Sequence, residues 1–128
     1  MRRTTVTSMR SRLVVKLTCG ADAPERANQA LTVAATALAS GVDVSVWLAG
    51  EGAWLAVPGR SADLDLPYAA PAADLLGALI EGGTVTVCTQ CAARRELTPA
   101  ELIAGAQIRG AAAYVEEVMA EGARALVY

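Results

Sequence analysis

Residues 12–48 read RLVVKLTCGADAPERANQALTVAATALASGVDVSVWL, and the order of patterns inside this stretch decides the fold. Its first part, RLVVKLT, concentrates Leu13, Val14, Val15 and Leu17 with little helical period, which predicts a strand ending at Cys19-Gly20. Helix-start signals then gather in one place: Asp22 as N-cap, Pro24 near the first helical position, and Glu25 as the partner of a capping box. Ala27, Ala30, Leu31, Ala34, Ala35 and Leu38 recur at helical spacing, whereas Glu25, Arg26, Asn28, Gln29 and Thr32 fit a wet face. The spacing predicts a helix over Pro24–Ala39 that stops at Gly41. Val42, Val44, Val46 and Leu48 then alternate with Asp43, Ser45 and Trp47, a second strand with one face only partly covered. Strand, helix and strand in close succession make a βαβ unit, whose connection between parallel neighbours is right-handed.

Working outward, a short helix runs through Trp54 and Leu55 until Pro58-Gly59 breaks it, and residues 59–67 are irregular. A second long helix spans Ala70–Ile80 and closes at Gly82-Gly83. The strand Thr84–Val87 delivers the chain to Cys88. Thr98-Pro99-Ala100-Glu101 is a capping box opening another short helix. A short strand over Ala106–Arg109, a helix over Ala111–Ala120 and an edge strand over Arg124–Tyr128 complete the pattern. The expected fold class is α/β, a three-layer α/β/α sandwich around a mostly parallel sheet of about five strands. Residues 12–128 form its single domain, and residues 1–11 a disordered tail; Arg2, Arg3, Arg10 and the adjoining Arg12 sit there among Ser and Thr.

Composition narrows the function. A chain of 128 residues supports one ordinary core. It is 54% apolar but only 4% aromatic, without Phe, so Ala, Val and Leu must fill the interior and let helices approach a sheet closely. A net charge of −2 and a pI near 5.1 argue against a nucleic-acid partner. Leu13 to Leu17 is too short for a signal peptide and contains Lys16; the same shortage leaves Leu17-Thr18-Cys19-Gly20 unsupported as a lipoprotein cleavage site. No apolar run reaches a membrane-spanning length. Three cysteines, an odd number, point to a reducing cytoplasm rather than a disulfide framework.

The chemistry concentrates in Cys88-Thr-Gln-Cys91. Parallel α/β sheets gather ligands and reactive groups beyond the carboxyl ends of their strands, where Cys19 and Cys88 both fall. A cysteine at a helix N-terminus meets free amides and the positive dipole end, and the nearby Arg94 and Arg95 add cationic charge; all of these favour thiolate. A thiolate serves persulfide transfer, disulfide exchange and metal ligation alike, and buried cysteines are also common as inert small apolar residues. The chain has no histidine, and three sulfurs with a carboxylate such as Asp22 make a poor zinc set, so no metal and no cofactor is expected. The CxxC lacks the aromatic flank of a thioredoxin-like site. Gly50-Glu51-Gly52 and Gly82-Gly83 are turns, too short for phosphate loops.

The order and spacing of these pieces resemble the DsrE (DsrE/DsrF-like) family of small sulfur-relay and related proteins. The resemblance is carried by the first strand with its Asp-Ala-Pro-Glu-Arg loop and Ala-rich helix, and by Gly41-Val42-Asp43-Val44 leading to Trp47 through Gly52. It continues in the strand entering Cys88, the Ala93-Arg94-Arg95 segment and the closing residues Glu121 to Tyr128. It implies that Cys88 carries a persulfide between sulfur donor and acceptor proteins, with Cys91 as the second cysteine some members have. Cys19, Arg94 and Arg95 are accessory candidates. Many relatives have Gly after the Arg, where this chain has Glu96. The resemblance also implies a homotrimer or homohexamer, for which Trp47, Trp54 and Leu55 are the candidate exposed apolar residues. A non-catalytic oligomeric binding or structural protein and a thiol-disulfide redox sensor are the alternatives.

Overall fold

The computed structural model describes residues 11–128, so the tail expected over residues 1–11 lies, apart from Ser11, outside the described residues. Arg12 opens β1 (Arg12–Leu17), where the strand reading begins. With β2 (Asp43–Leu48), β3 (Thr84–Cys88), β4 (Gln107–Arg109) and β5 (Ala123–Val127) it forms a five-stranded sheet in the order β4-β3-β2-β1-β5. Every pairing in it is parallel. The chain steps one way from β1 to β4 and then returns past β1 to β5. Right-handed crossovers therefore place α1 (Pro24–Ala39) and α2 (Ala72–Gly82) on one face and α4 (Ala111–Val118) on the other. The short α3 (Thr89–Arg94) leaves β3 directly. The result is the three-layer sandwich.

The two sheet faces differ chemically. Under α1 and α2 lie Val15, Leu17, Val44, Val46, Leu48, Val85 and Val87, sealed against Ala27, Leu31, Ala34, Leu76 and Leu79. Each Val or Leu buried in this way contributes about 1.5–3 kcal/mol. Strand alternation turns Lys16, Ser45, Trp47, Thr86, Cys88, Gln107 and Arg109 to the α4 face. This polar face is nevertheless closed, with Ser45 and Thr86 fully buried and Trp47 only 2% exposed.

Several expectations are corrected. Trp47 and Leu55 are buried rather than exposed, and Trp54 is half-buried beneath the Arg60 guanidinium, 4.5 Å from its ring. The exposed large apolar residues are Val115 on α4 and Met119 at its C-cap, and Leu126 and Val127 on β5, with Tyr68 and Val33 elsewhere. Asp22 does not cap α1; the N-cap is Ala23, and the Asp22 carboxylate accepts the Gly20 N–H at 2.8 Å, closing the loop before it. α2 starts at Ala72 rather than Ala70 because Pro71 holds an extended ψ of 134° and restricts Ala70 in turn. The Thr98–Glu101 capping box forms, but on a single 3-10 turn, Pro99–Glu101. Glu101 Oε1 accepts both the Thr98 N–H at 2.6 Å and its hydroxyl at 2.9 Å. Among the described residues no helix is long and apolar enough to cross a membrane.

Candidate functional site

The carboxyl edge of the sheet is built by close backbone packing. A Cβ on Gly20 would lie 2.6 Å from the Glu51 carbonyl oxygen, and one on Gly50, at φ +53°, would lie 2.7 Å from that of Thr18. Only glycine lets the loop after β1 and the 3-10 helix after β2 (Gly50–Ala56) come this near. The approach aims the Gly50 N–H at the Cys91 sulfur, 3.1 Å away.

Cys88 closes β3 and serves as N-cap of α3, with φ −63° and ψ 131°. It is half-buried, as is Cys91 one turn later. Burial alone pushes the Cys88 thiol up. The Cys91 and Gln90 N–H groups, the Cys91 thiol and the charge of Lys16 more than offset it and hold the thiol below its ordinary value. A larger thiolate fraction near neutrality follows, and thiolate is the nucleophilic form. The CxxC spacing thus puts a second thiol on the first turn of α3, where it helps to lower the Cys88 thiol.

The accessory candidates separate. Cys19 is only 4% exposed and its thiol donates to the Ala23 carbonyl at 3.8 Å. Burial pushes this thiol up, with Arg26 opposing and Asp22 adding to the rise. The groups acting on it are therefore not the other cysteines. Arg95 turns away from the sulfurs: its guanidinium meets the Glu51 carboxylate at 2.8 Å and the Cys91 carbonyl at 3.1 Å, tying α3 to the Gly50–Ala56 helix. Arg94 is exposed on the last turn of α3.

Lys16, which the sequence analysis did not single out, stands on the sheet face that also carries Cys88. The signal of Lys16 is a charge set between apolar residues in the interior of the strand RLVVKL. The ammonium sits 4.9 Å from the Tyr114 ring centre, and Tyr114 meets Trp47 edge-on at 5.3 Å. Beside them, Glu117 from α4 is 7% exposed and accepts from the Ser45 hydroxyl at 2.6 Å and the Trp47 indole N–H at 3.0 Å. Its other oxygen accepts from Arg109 at 3.0 Å, and Arg12 stands 3.8 Å away. Burial works against this charge, yet the two donors and the two guanidinium groups hold the Glu117 carboxyl below the usual carboxylate range.

α3 ends in a Schellman motif: the Leu97 N–H bonds to the Ala92 carbonyl at 2.9 Å and the Glu96 N–H to that of Ala93 at 3.1 Å. The motif demands a left-handed residue, and Glu96 takes it with φ +55°. Among the described residues no three or more His, Cys, Asp or Glu groups are arranged to hold a metal ion. The cavities of about 700 Å³ beside Arg26 and Leu66 and about 410 Å³ beside Leu76 and Ile103 are lined by no cysteine.

This parallel sandwich with a cysteine at the exit of its third strand is matched over residues 12–128 by the model of the DsrE/DsrF-like family, and the chain belongs to that family. Solved structures share the fold. The ychN protein of E. coli superimposes with a TM-score of 0.76 at 16% identity, covering 94% of this chain and all (100%) of its own. A protein of unknown function from Methanobacterium thermoautotrophicum, MTH1491, gives a TM-score of 0.67 at 13% identity, covering 92% of this chain and 99% of its own. None of the curated proteins matches the chain.

Proposed function

We propose that this protein is a sulfur carrier, or sulfurtransferase-like protein, that holds sulfane sulfur as a persulfide on Cys88. The observation that carries the reading is the place of Cys88 itself, half-buried at the N-cap of α3 beyond the end of a central strand, with its thiol held below its ordinary value and Cys91 one turn later. In the loading step the Cys88 thiolate attacks the terminal sulfur of a donor persulfide, R–S–SH. A new S–S bond forms, the donor's S–S bond breaks, and its electron pair leaves on RS⁻; no external oxidant is required. Attack by the Cys91 thiolate on the terminal sulfur of that persulfide moves the sulfur onward and returns Cys88 as thiolate. The site lies outside the cavities described above, which fits sulfur delivered and collected by donor and acceptor proteins in a reducing cytoplasm. The unit that acts is residues 12–128, assembled as a homotrimer or homohexamer through the apolar residues exposed on α4 and β5.

Mass spectrometry after incubation with a small-molecule persulfide tests the reading. The Cys88 peptide gains the mass of one sulfur atom, and Cys88→Ser abolishes the gain; a Cys88 peptide that stays unshifted overturns it. The CxxC spacing across the start of α3 supports a second reading, a reversible Cys88–Cys91 disulfide that senses redox state. It requires a bridged peptide in non-reducing digests of the mildly oxidised protein.

A further inference from the structure

We propose that Gly50 is a positioning residue for Cys91, its backbone N–H holding the Cys91 sulfur where it takes over sulfur from Cys88. The assignment rests on the persulfide reading above. The Gly50 N–H meets the Cys91 sulfur at 3.1 Å. Sulfur is larger than oxygen, yet the approach is as close as N–H groups make to oxygen, about 2.7–3.2 Å. Gly50 opens the 3-10 helix Gly50–Ala56, so its N–H has no acceptor within that helix. The Cys91 sulfur is the acceptor it finds.

This N–H is fixed from several sides. The Ala49 N–H bonds to the Leu17 carbonyl at 2.8 Å, which anchors the chain just before Gly50 to the end of β1. Gly50 itself adopts φ +53°, and a Cβ there would lie 2.7 Å from the Thr18 carbonyl oxygen, so a side chain cannot be added without moving the N–H. Arg95 joins the two sides of the contact, donating to the Cys91 carbonyl at 3.1 Å and to the Glu51 carboxylate at 2.8 Å. Arg95 is thus a second positioning residue, acting on the backbone of Cys91 and on the residue after Gly50. Cys88 is the N-cap of α3 and Cys91 its third residue, the two positions whose groups turn toward each other in a capping box. Held in this way, the Cys91 thiol also helps to lower the Cys88 thiol. When the Cys91 thiolate attacks the terminal sulfur of the Cys88 persulfide, a new S–S bond forms, the old one breaks and its electron pair stays on Cys88. A nucleophile whose sulfur is already fixed gives up little freedom in that step.

The test follows sulfur from Cys88 to Cys91 in the full-length protein, by mass spectrometry after loading with a substoichiometric small-molecule persulfide. Gly50→Ala slows this handover about tenfold, the scale of a hydrogen bond to a charged group, and sulfur accumulates on the Cys88 peptide. Gly41→Ala controls for backbone strain: it places Ala at φ +91° with nothing within 4 Å, and it leaves the handover rate unchanged. Should Gly50→Ala fold poorly by circular dichroism, Arg95→Met replaces it and slows the handover in the same direction. A handover as fast as the native one, or faster, overturns the proposal, because a sulfur merely parked on Gly50 is freed when the N–H moves away. The contact is read apart from sulfur chemistry: hydrogen exchange of the Gly50 amide, followed by NMR, quickens about fivefold in Cys91→Ala, the scale of one hydrogen bond. Unchanged exchange likewise overturns it. Failure of the native Cys88 to gain sulfur refutes the carrier reading itself, whereas a loaded Cys88 with an unaltered handover in Gly50→Ala refutes Gly50 alone.

Discussion

Reactivity at this edge is decided residue by residue, since three thiols on one small domain meet three different surroundings. Burial leaves the Cys19 thiol raised, while Cys88 is lowered by the N–H groups of α3 and by Lys16. Competitive alkylation at neutral pH should therefore label Cys88 well before Cys19, and the reverse order, read by mass spectrometry, would refute the thiolate assignment. A different balance holds at Glu96, whose φ of +55° strains any L-residue. Glu96→Gly should raise the unfolding free energy by about 0.5–1 kcal/mol in urea titration, and a loss of stability would show that the Glu96 side chain does something the backbone does not. Cys88 was legible in the sequence because a CxxC at a strand exit is a local pattern. The roles of Arg94 and Arg95 were not, because one turn of helix decides where a guanidinium points. Lys16 escaped notice because its partner Tyr114 is brought to it only when α4 packs on the sheet.

At the scale of elements, α4 is attached to the sheet through a charge. Glu117 is the buried acid that joins this eight-residue helix to β2 through Ser45 and Trp47, to β4 through Arg109 and to β1 through Arg12. Removing it in Glu117→Ala leaves buried donors unanswered and should cost about 2 kcal/mol, less than a wholly buried pair because both arginines are partly wet. The pH dependence has a definite sign. The folded-state Glu117 titrates below its ordinary value of 4.5, so its contribution is complete above that pH and is lost as the pH falls toward the folded-state value. The stability gap between the native protein and Glu117→Gln should narrow as the pH falls below 4.5, as measured by chemical denaturation; a gap that widens on acidification contradicts this account. The helices and strands themselves were largely visible in the sequence. α1 matches its expected bounds because Pro24 and the Ala/Leu spacing are local signals. Asp22 as N-cap failed because a side chain two residues from Gly20 closed the preceding turn instead.

For the whole molecule, the returning connection to β5 leaves the layers unequal. Two helices of 16 and 11 residues seal one face, whereas the other has only the eight-residue α4. Strand order was beyond the sequence, because alternation marks a strand without naming its neighbours. For the same reason Trp47 reads as an exposed oligomer contact until α4 is seen to cover it. What the thin layer exposes is the outer side of α4 and its C-cap, with Val115 at 54% and Met119 at 77%, and the edge strand β5, where Val127 is 64% exposed. A second copy of this chain is the occupant that the proposed trimer or hexamer requires. Light scattering coupled to size exclusion should accordingly return a whole multiple of 13.1 kDa for the native protein. Replacing the apolar contacts with like charges, in Val115→Glu with Met119→Glu, should lower that mass to a single chain while circular dichroism stays unchanged. A native protein that elutes as a monomer, or a double variant that keeps its mass, would overturn assembly through α4 and leave Cys88 to work from a single chain.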